Sequence, residues 1–161
     1  MIHQLESSAF PCAVEVIRTS FMTVANQLGL TEMNSPRYTA FSISEESLKN
    51  QHGWGWLMYG LYDAEKLIGY VAVSKVNDID DTYEIHHLSV VPEYRHKSYG
   101  KLLLDHCKAI VKELGGIRIN IGIIEENTVL KNWYVENGFV HTGTKTFDFL
   151  PFTSGYMKYI V

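Results

Sequence analysis

The stretch Thr82–Leu114 constrains the fold of this chain more than any other. Tyr83 to Val91 is rich in β-forming residues and stops at Pro92, which has no N–H to give to a sheet. From Tyr99 onward apolar residues return at helical spacing, at Tyr99, Leu102, Leu103, Cys107, Ile110, Val111 and Leu114. Lys101, Asp105, Lys108 and Lys112 take the opposite face, as a half-buried helix requires. Between strand and helix lies the basic turn Arg95-His96-Lys97-Ser98-Tyr99-Gly100-Lys101. Its backbone N–H groups become the unpaired donors of a helix N-terminus. Dipole, donors and basic side chains there all favour an anion such as a phosphate.

The turn is not a nucleoside-triphosphate loop. Gly100-Lys101 is followed by Leu102, and Arg95 rather than Gly stands five residues before Gly100. The order is instead apolar strand, Pro-Glu-Tyr, Arg-x-x-Ser-x-Gly and then Lys-Leu-Leu-Leu, which resembles the acetyl-CoA-binding motif Q/R-x-x-G-x-G/A of the GNAT superfamily of N-acetyltransferases. A second block downstream, Asn127-x-x-Leu130-x-x-Trp133-Tyr134-x-x-x-Gly138-Phe139, is similar to that family's Asn…Tyr…Gly-Phe segment. The resemblance runs from the strand near Trp56 to the C-terminus and is weak before it. The departure is Ser98, which stands where the family usually has its first Gly, a residue free to adopt positive φ and to let backbone approach a phosphate.

Composition narrows the class. With 161 residues the chain reads as one domain, residues 1–161, long enough to bury a core. Apolar residues at 46% against 20% charged exclude a disordered chain. A net charge of −4, with no basic run beyond Arg95–Lys101, argues against nucleic acid as a partner. No long uncharged apolar window and no signal-peptide layout are found, so neither a membrane nor export is expected and the chain is expected to be cytoplasmic. Cys12 and Cys107 are far apart and are read as reduced and structural.

Along the chain, Ile2 to Glu6 reads as a short strand. Pro11 then opens a helix with Val14, Ile17, Phe21, Val24 and Leu28 on one side, ending near Gly29. Ser44-Glu45-Glu46-Ser47 offers the cap and first-turn acids of a second helix. Trp56 to Tyr62 and Leu67 to Lys75 form a hairpin around Asp63–Lys66. Asn77–Asp81 is a solvated loop that lacks the Gly and terminal Glu of a calcium loop. Gly115-Gly116 ends the long helix, and Arg118 to Ile124 is a strand lying parallel to Tyr83–Val91 through a right-handed crossover. Asn127 caps a helix that runs through Glu136, and Phe139–Phe149 and Tyr156–Val161 complete the sheet. The fold class is α+β. The resemblance implies a mixed, mostly antiparallel sheet of about six to seven strands with one parallel pair and about four helices.

Chemistry centres on the strand ahead of the turn. With a period of two, Glu84, His86, Leu88 and Val90 share one face, and Tyr83, Ile85, His87 and Ser89 the other. His86 and His87 are therefore expected to point apart, and no metal is expected, since neither His-Glu-x-x-His nor paired Cys spacing occurs. The resemblance implies acetyl-CoA as acyl donor. In it, backbone groups of Leu88, Ser89 and Val90 hold the pantetheine arm and polarise the thioester. Amides from His96 through Lys97, Ser98, Tyr99 and Gly100 to Lys101 hold the pyrophosphate, with Arg95 fixing the turn. Asn127 contacts the pantetheine amide, and Tyr134 protonates the departing thiolate. An amine of pKa near 10 needs a proton acceptor before it can attack, and Glu84 or His86 can serve.

The acceptor site is expected from the first two helices, the hairpin and the loop before the last strand, with Phe41, Trp54, Trp56, Tyr59, Phe149, Phe152 and Tyr156 as candidates. The reading is acetyl transfer to a primary amine of a small molecule, a peptide N-terminus or a lysine, by direct attack in a ternary complex, in a monomer or a homodimer. The competing reading is a CoA-binding sensor or interaction module without catalysis.

Overall fold

The computed structural model describes residues 1–161. It runs β1 (Ile2–Gln4), a 3-10 turn, α1 (Phe10–Leu28), α2 (Thr39–Ser42), α3 (Glu45–Gly53), β2 (Leu57–Asp63), β3 (Lys66–Lys75) and β4 (Thr82–Val90). A second 3-10 turn (Pro92–Tyr94) leads to α4 (Tyr99–Glu113), β5 (Arg118–Ile124), α5 (Thr128–Glu136), β6 (Val140–Thr146) and β7 (Thr153–Ile160). The seven strands form one sheet in the order β1-β2-β3-β4-β5-β7-β6, antiparallel except for β4 and β5. The α+β class, the seven strands and the single parallel pair agree with expectation.

The helices sort onto the two faces as their patterns dictate. In α1 the buried residues are Phe10, Ala13, Val14, Val16, Ile17, Ser20 and Ala25, and in α4 they are Leu103, Leu104, Cys107 and Val111. Leu102 and Leu114, assigned to the apolar face of α4 by spacing, are about half exposed, and Leu104 takes a place in the core instead. Ser44 and Ser47 exchange side-chain and backbone hydrogen bonds at the start of α3, a reciprocal cap that satisfies two otherwise orphaned donors. Helix α2 has only four residues and leaves no periodic trace in the sequence. Strand β7 begins three residues before Tyr156. The Thr153 carbonyl accepts from the Glu125 N–H at 2.9 Å, and its own N–H donates to the Glu126 carboxylate.

Strand β4 is irregular in two ways. Its parallel pairing with β5 covers only Thr82–Glu84 against Arg118–Asn120, so beyond Glu84 the two strands diverge. Against β3, Tyr70 pairs with Ser89 and Ala72 with His86, so Val71 of β3 alone faces His87 and Leu88 of β4. The extra residue is a β-bulge at His87, whose φ is +53°.

Candidate active site

The bulge overturns the strict alternation expected for β4. Glu84 and His86 do share a face, because Ser74, the cross-strand partner of Glu84, meets the His86 ring with Oγ–Nε2 at 2.7 Å. That face is the one toward α1. Beyond the bulge the parity inverts: Val90 pairs with Gly69, where a Cβ would touch Leu103 of α4, so Val90 lies on the opposite face from His86. His87 does not point away from His86 either. Their ring centroids are 6.1 Å apart, and the His87 ring lies near both Phe21 of α1, at 6.2 Å, and Trp56, at 6.3 Å. The shift of apolar residues from odd positions, Tyr83 and Ile85, to even ones, Leu88 and Val90, is the sequence signal that could have revealed it.

The two histidines have different surroundings. His86 is held on one face and at one nitrogen: Trp56 stacks on it at 3.8 Å with planes 13° apart, and Ser74 occupies its Nε2. The ring of His87 makes no hydrogen bond, and only its carbonyl is engaged, accepting from Ser89 Oγ at 2.7 Å. Burial pushes both imidazoles down, to about 3 for His86, helped by the neighbouring His87, and to about 4 for His87. Burial thus favours the neutral form of both rings. Glu84 is half-buried at the point where β4 and β5 part, and burial raises its carboxyl above the usual range.

The basic turn ends in an open helix N-terminus, although its charges are mostly used elsewhere. Arg95 turns inward, donating to Val90 O (3.2 Å), Thr23 Oγ1 (3.0 Å), Ser20 O (3.0 Å) and Ser20 Oγ (3.2 Å), which ties the turn to α1. Lys101 pairs with Asp105 on its own helix. His96 and Ser98 both have positive φ, +61° and +64°. Ser98 is the N-cap of α4, yet its hydroxyl makes no capping bond, so the first amides of the helix remain open donors. A serine normally closes such an end; here the left-handed backbone keeps it from doing so. These donors, next to the exposed His96 and Lys97, suit a diphosphate group.

The two sequence blocks meet in space. A Cβ at Gly100 would lie 3.5 Å from the Trp133 indole, an ordinary van der Waals contact, so the first turn of α4 lies directly against α5. Tyr134 is buried beside Trp133 and Phe139, and burial raises its phenol further above its usual range, keeping it protonated. Asn127 caps α5, its Oδ1 accepting from the Leu130 N–H at 3.2 Å, which leaves its amide NH2 free. Leu88 is half-buried, while Ser89 and Val90 are buried on the diverging part of β4.

The acceptor candidates divide. Trp56 lines the histidine pair, and Trp54, 70% exposed, meets it edge-on at 6.1 Å. A cleft of about 260 Å³ lies between these tryptophans and Ser74, Lys75 and Asn77. Phe41 and Phe152 pack with Tyr38 around Ile124 at the end of β5. Phe149 stacks under Arg37. Tyr59 is a correction: it is buried on the α4 side against His106, ring centroids 4.5 Å apart, and belongs to the core. Sequence reasoning passed over Gly122, which pairs with the 38%-exposed Tyr156 and has nothing within 4 Å of where a Cβ would stand. A wider depression of about 620 Å³, between Cys12, Glu15, Glu65 and Glu93, contains none of the expected site residues.

Comparison with known proteins agrees with this geometry. Residues 24–139 match the model of the acetyltransferase (GNAT) family. A spermidine N(1)-acetyltransferase of Thermoplasma acidophilum is 28% identical over 114 residues, 71% of this chain and 69% of that protein. The crystal structure of the PaiA N-acetyltransferase of Thermoplasma acidophilum with coenzyme A superposes with a TM-score of 0.84 at 23% identity, covering 100% of this chain and 98% of that one. The ribosomal-protein-S18-alanine N-acetyltransferase of Escherichia coli gives 0.78 at 17% identity, covering 100% and 93%. With the matched family model spanning most of the sequence, including both motif blocks, the chain belongs to the GNAT family of acetyltransferases.

Proposed function

We propose that this acetyltransferase moves the acetyl group of acetyl-CoA to a primary amine by direct attack while both substrates are bound. The observation that carries the reading is the opening between β4 and β5 beyond Glu84. In this reading it joins the open amides of Tyr99–Lys101 to the face bearing Glu84, His86 and His87. The diphosphate fits the open helix end. The edge of Leu88–Val90 that β5 has left suits the pantetheine amides and the thioester oxygen, as oriented donors do for a developing oxyanion. Asn127 holds the same arm with its free amide, and Tyr134 donates a proton to the leaving sulfur. The amine enters from the α1 side over the bare Gly122, between the Trp56–His86 stack and Tyr156. The proton it sheds passes to the β4 face.

By name, the relatives act on spermidine and on an alanine of a ribosomal protein, which supports an amine nucleophile and leaves its carrier to experiment. The test is thiol release from acetyl-CoA with spermidine, an alanine-terminated tripeptide and an Nα-blocked lysine amide, with the acetylated product confirmed by mass. Acetyl-CoA binding measured by calorimetry without transfer to any primary amine would favour the non-catalytic module instead.

A further inference from the structure

We infer that His87, the bulge residue of β4, is the group that takes the proton from the attacking amine. The inference rests on the acetyl-transfer reading and on three observations about the strand. The bulge turns the His87 side chain onto the α1 face beside His86, on the part of β4 that β5 has already left. Of the two imidazoles, His86 has its Nε2 committed to Ser74 and one ring face covered by Trp56, whereas His87 has both ring nitrogens free. The left-handed conformation at His87 is strained for a residue with a Cβ, and such strain gathers at functional positions.

The groups that face His87 are the His86 ring on its own strand, Phe21 from α1 and Trp56 ahead of β2; none carries a fixed charge. Burial alone therefore favours the neutral ring, which leaves one ring nitrogen with an unshared lone pair. Glu84 stands where the strands part, three residues behind. In the reaction the amine lone pair forms the C–N bond at the thioester carbonyl carbon, and the N–H proton passes to the unprotonated ring nitrogen of His87. The C–S bond breaks with its electron pair on sulfur, which takes the Tyr134 proton. The imidazolium then returns its proton to water, and Tyr134 is reprotonated from solvent.

The experiment uses the full chain with whichever of spermidine, the tripeptide and the lysine amide is acetylated fastest. His87→Asn keeps a side chain that tolerates positive φ and removes the base. It should lower kcat by about 100-fold or more with the KM for acetyl-CoA changed less than about twofold. In His87→Gly, which relaxes the backbone and empties the site, added imidazole should restore about tenfold or more of the lost rate. A His87→Asn enzyme within about threefold of wild-type kcat, or a His87→Gly loss that imidazole does not relieve, overturns the inference. Independently of any acceptor, 15N-imidazole spectra should show His87 neutral at pH 7; a charged ring there overturns it too. Wild-type transfer with an undisturbed His87→Asn would remove this assignment and leave the acetyl-transfer reading in place.

Discussion

Ser98 shows how one residue can depart from a family motif and keep its geometry. It accepts φ of +64°, which glycine would adopt without penalty, and its hydroxyl gives nothing back as a cap. Ser98→Gly should therefore raise stability by about 1 kcal/mol in urea unfolding and leave CoA affinity equal or tighter; a less stable variant would mean the hydroxyl supports the turn. Tyr134 offers a second test at this scale. Buried and held protonated, it can donate as the thiolate develops, and a thiol of pKa about 8.5 needs only modest help to leave. Tyr134→Phe should slow kcat by about 10- to 100-fold with CoA affinity little changed. A purely structural tyrosine would show the reverse, a lower Tm with intact kcat.

At the scale of elements, the site depends on how β4, the turn and α1 are locked together. Arg95 reaches four acceptors on two elements, a geometry that a single ammonium cannot reproduce. Arg95→Lys should cost about 2 kcal/mol or more and weaken CoA binding, measured by chemical denaturation and calorimetry on one preparation. Strand β5 contributes through what it lacks. Because the position above Gly122 is open, Gly122→Val should fold normally yet raise the KM of the amine by about tenfold or more, the scale of an occluded contact. An unchanged KM would place amine entry elsewhere.

For the molecule as a whole, the buried histidines set the acid limit of stability. Their folded pKa values, about 3 and about 4, lie below the unfolded value of about 6.5, so the folded state resists protons that the unfolded chain accepts. Stability is full above pH 6.5 and falls as pH drops below it, by up to about 1.4 kcal/mol per pH unit for each histidine, until the folded values are reached. Glu84, with its raised carboxyl, acts in the opposite sense near its own titration and offsets a part. The urea midpoint should be clearly lower at pH 5 than at pH 7, and His86→Gln should flatten that slope. A midpoint independent of pH over this range would show that the two rings protonate freely in the folded state.

The sequence by itself determined the class of fold, most elements, the basic turn at a helix N-terminus and the family. Proline stops, helical spacing, glycine ends and the Asn127–Phe139 block are local signals that need no partner. Even the demand for positive φ at Ser98 was legible, because the motif expects glycine there. The tertiary structure alone decided which β4 side chains reach the site. Alternation separates His86 from His87, but pairing with β3 inserts a bulge, and one extra residue reverses the parity of everything after it. It also decided that Tyr59 is core, that Arg95 fixes the turn by bonding to α1, and that the position above Gly122 is open. Each of these depends on which strand or helix lies opposite, and register and packing across the sheet are not encoded in any single segment.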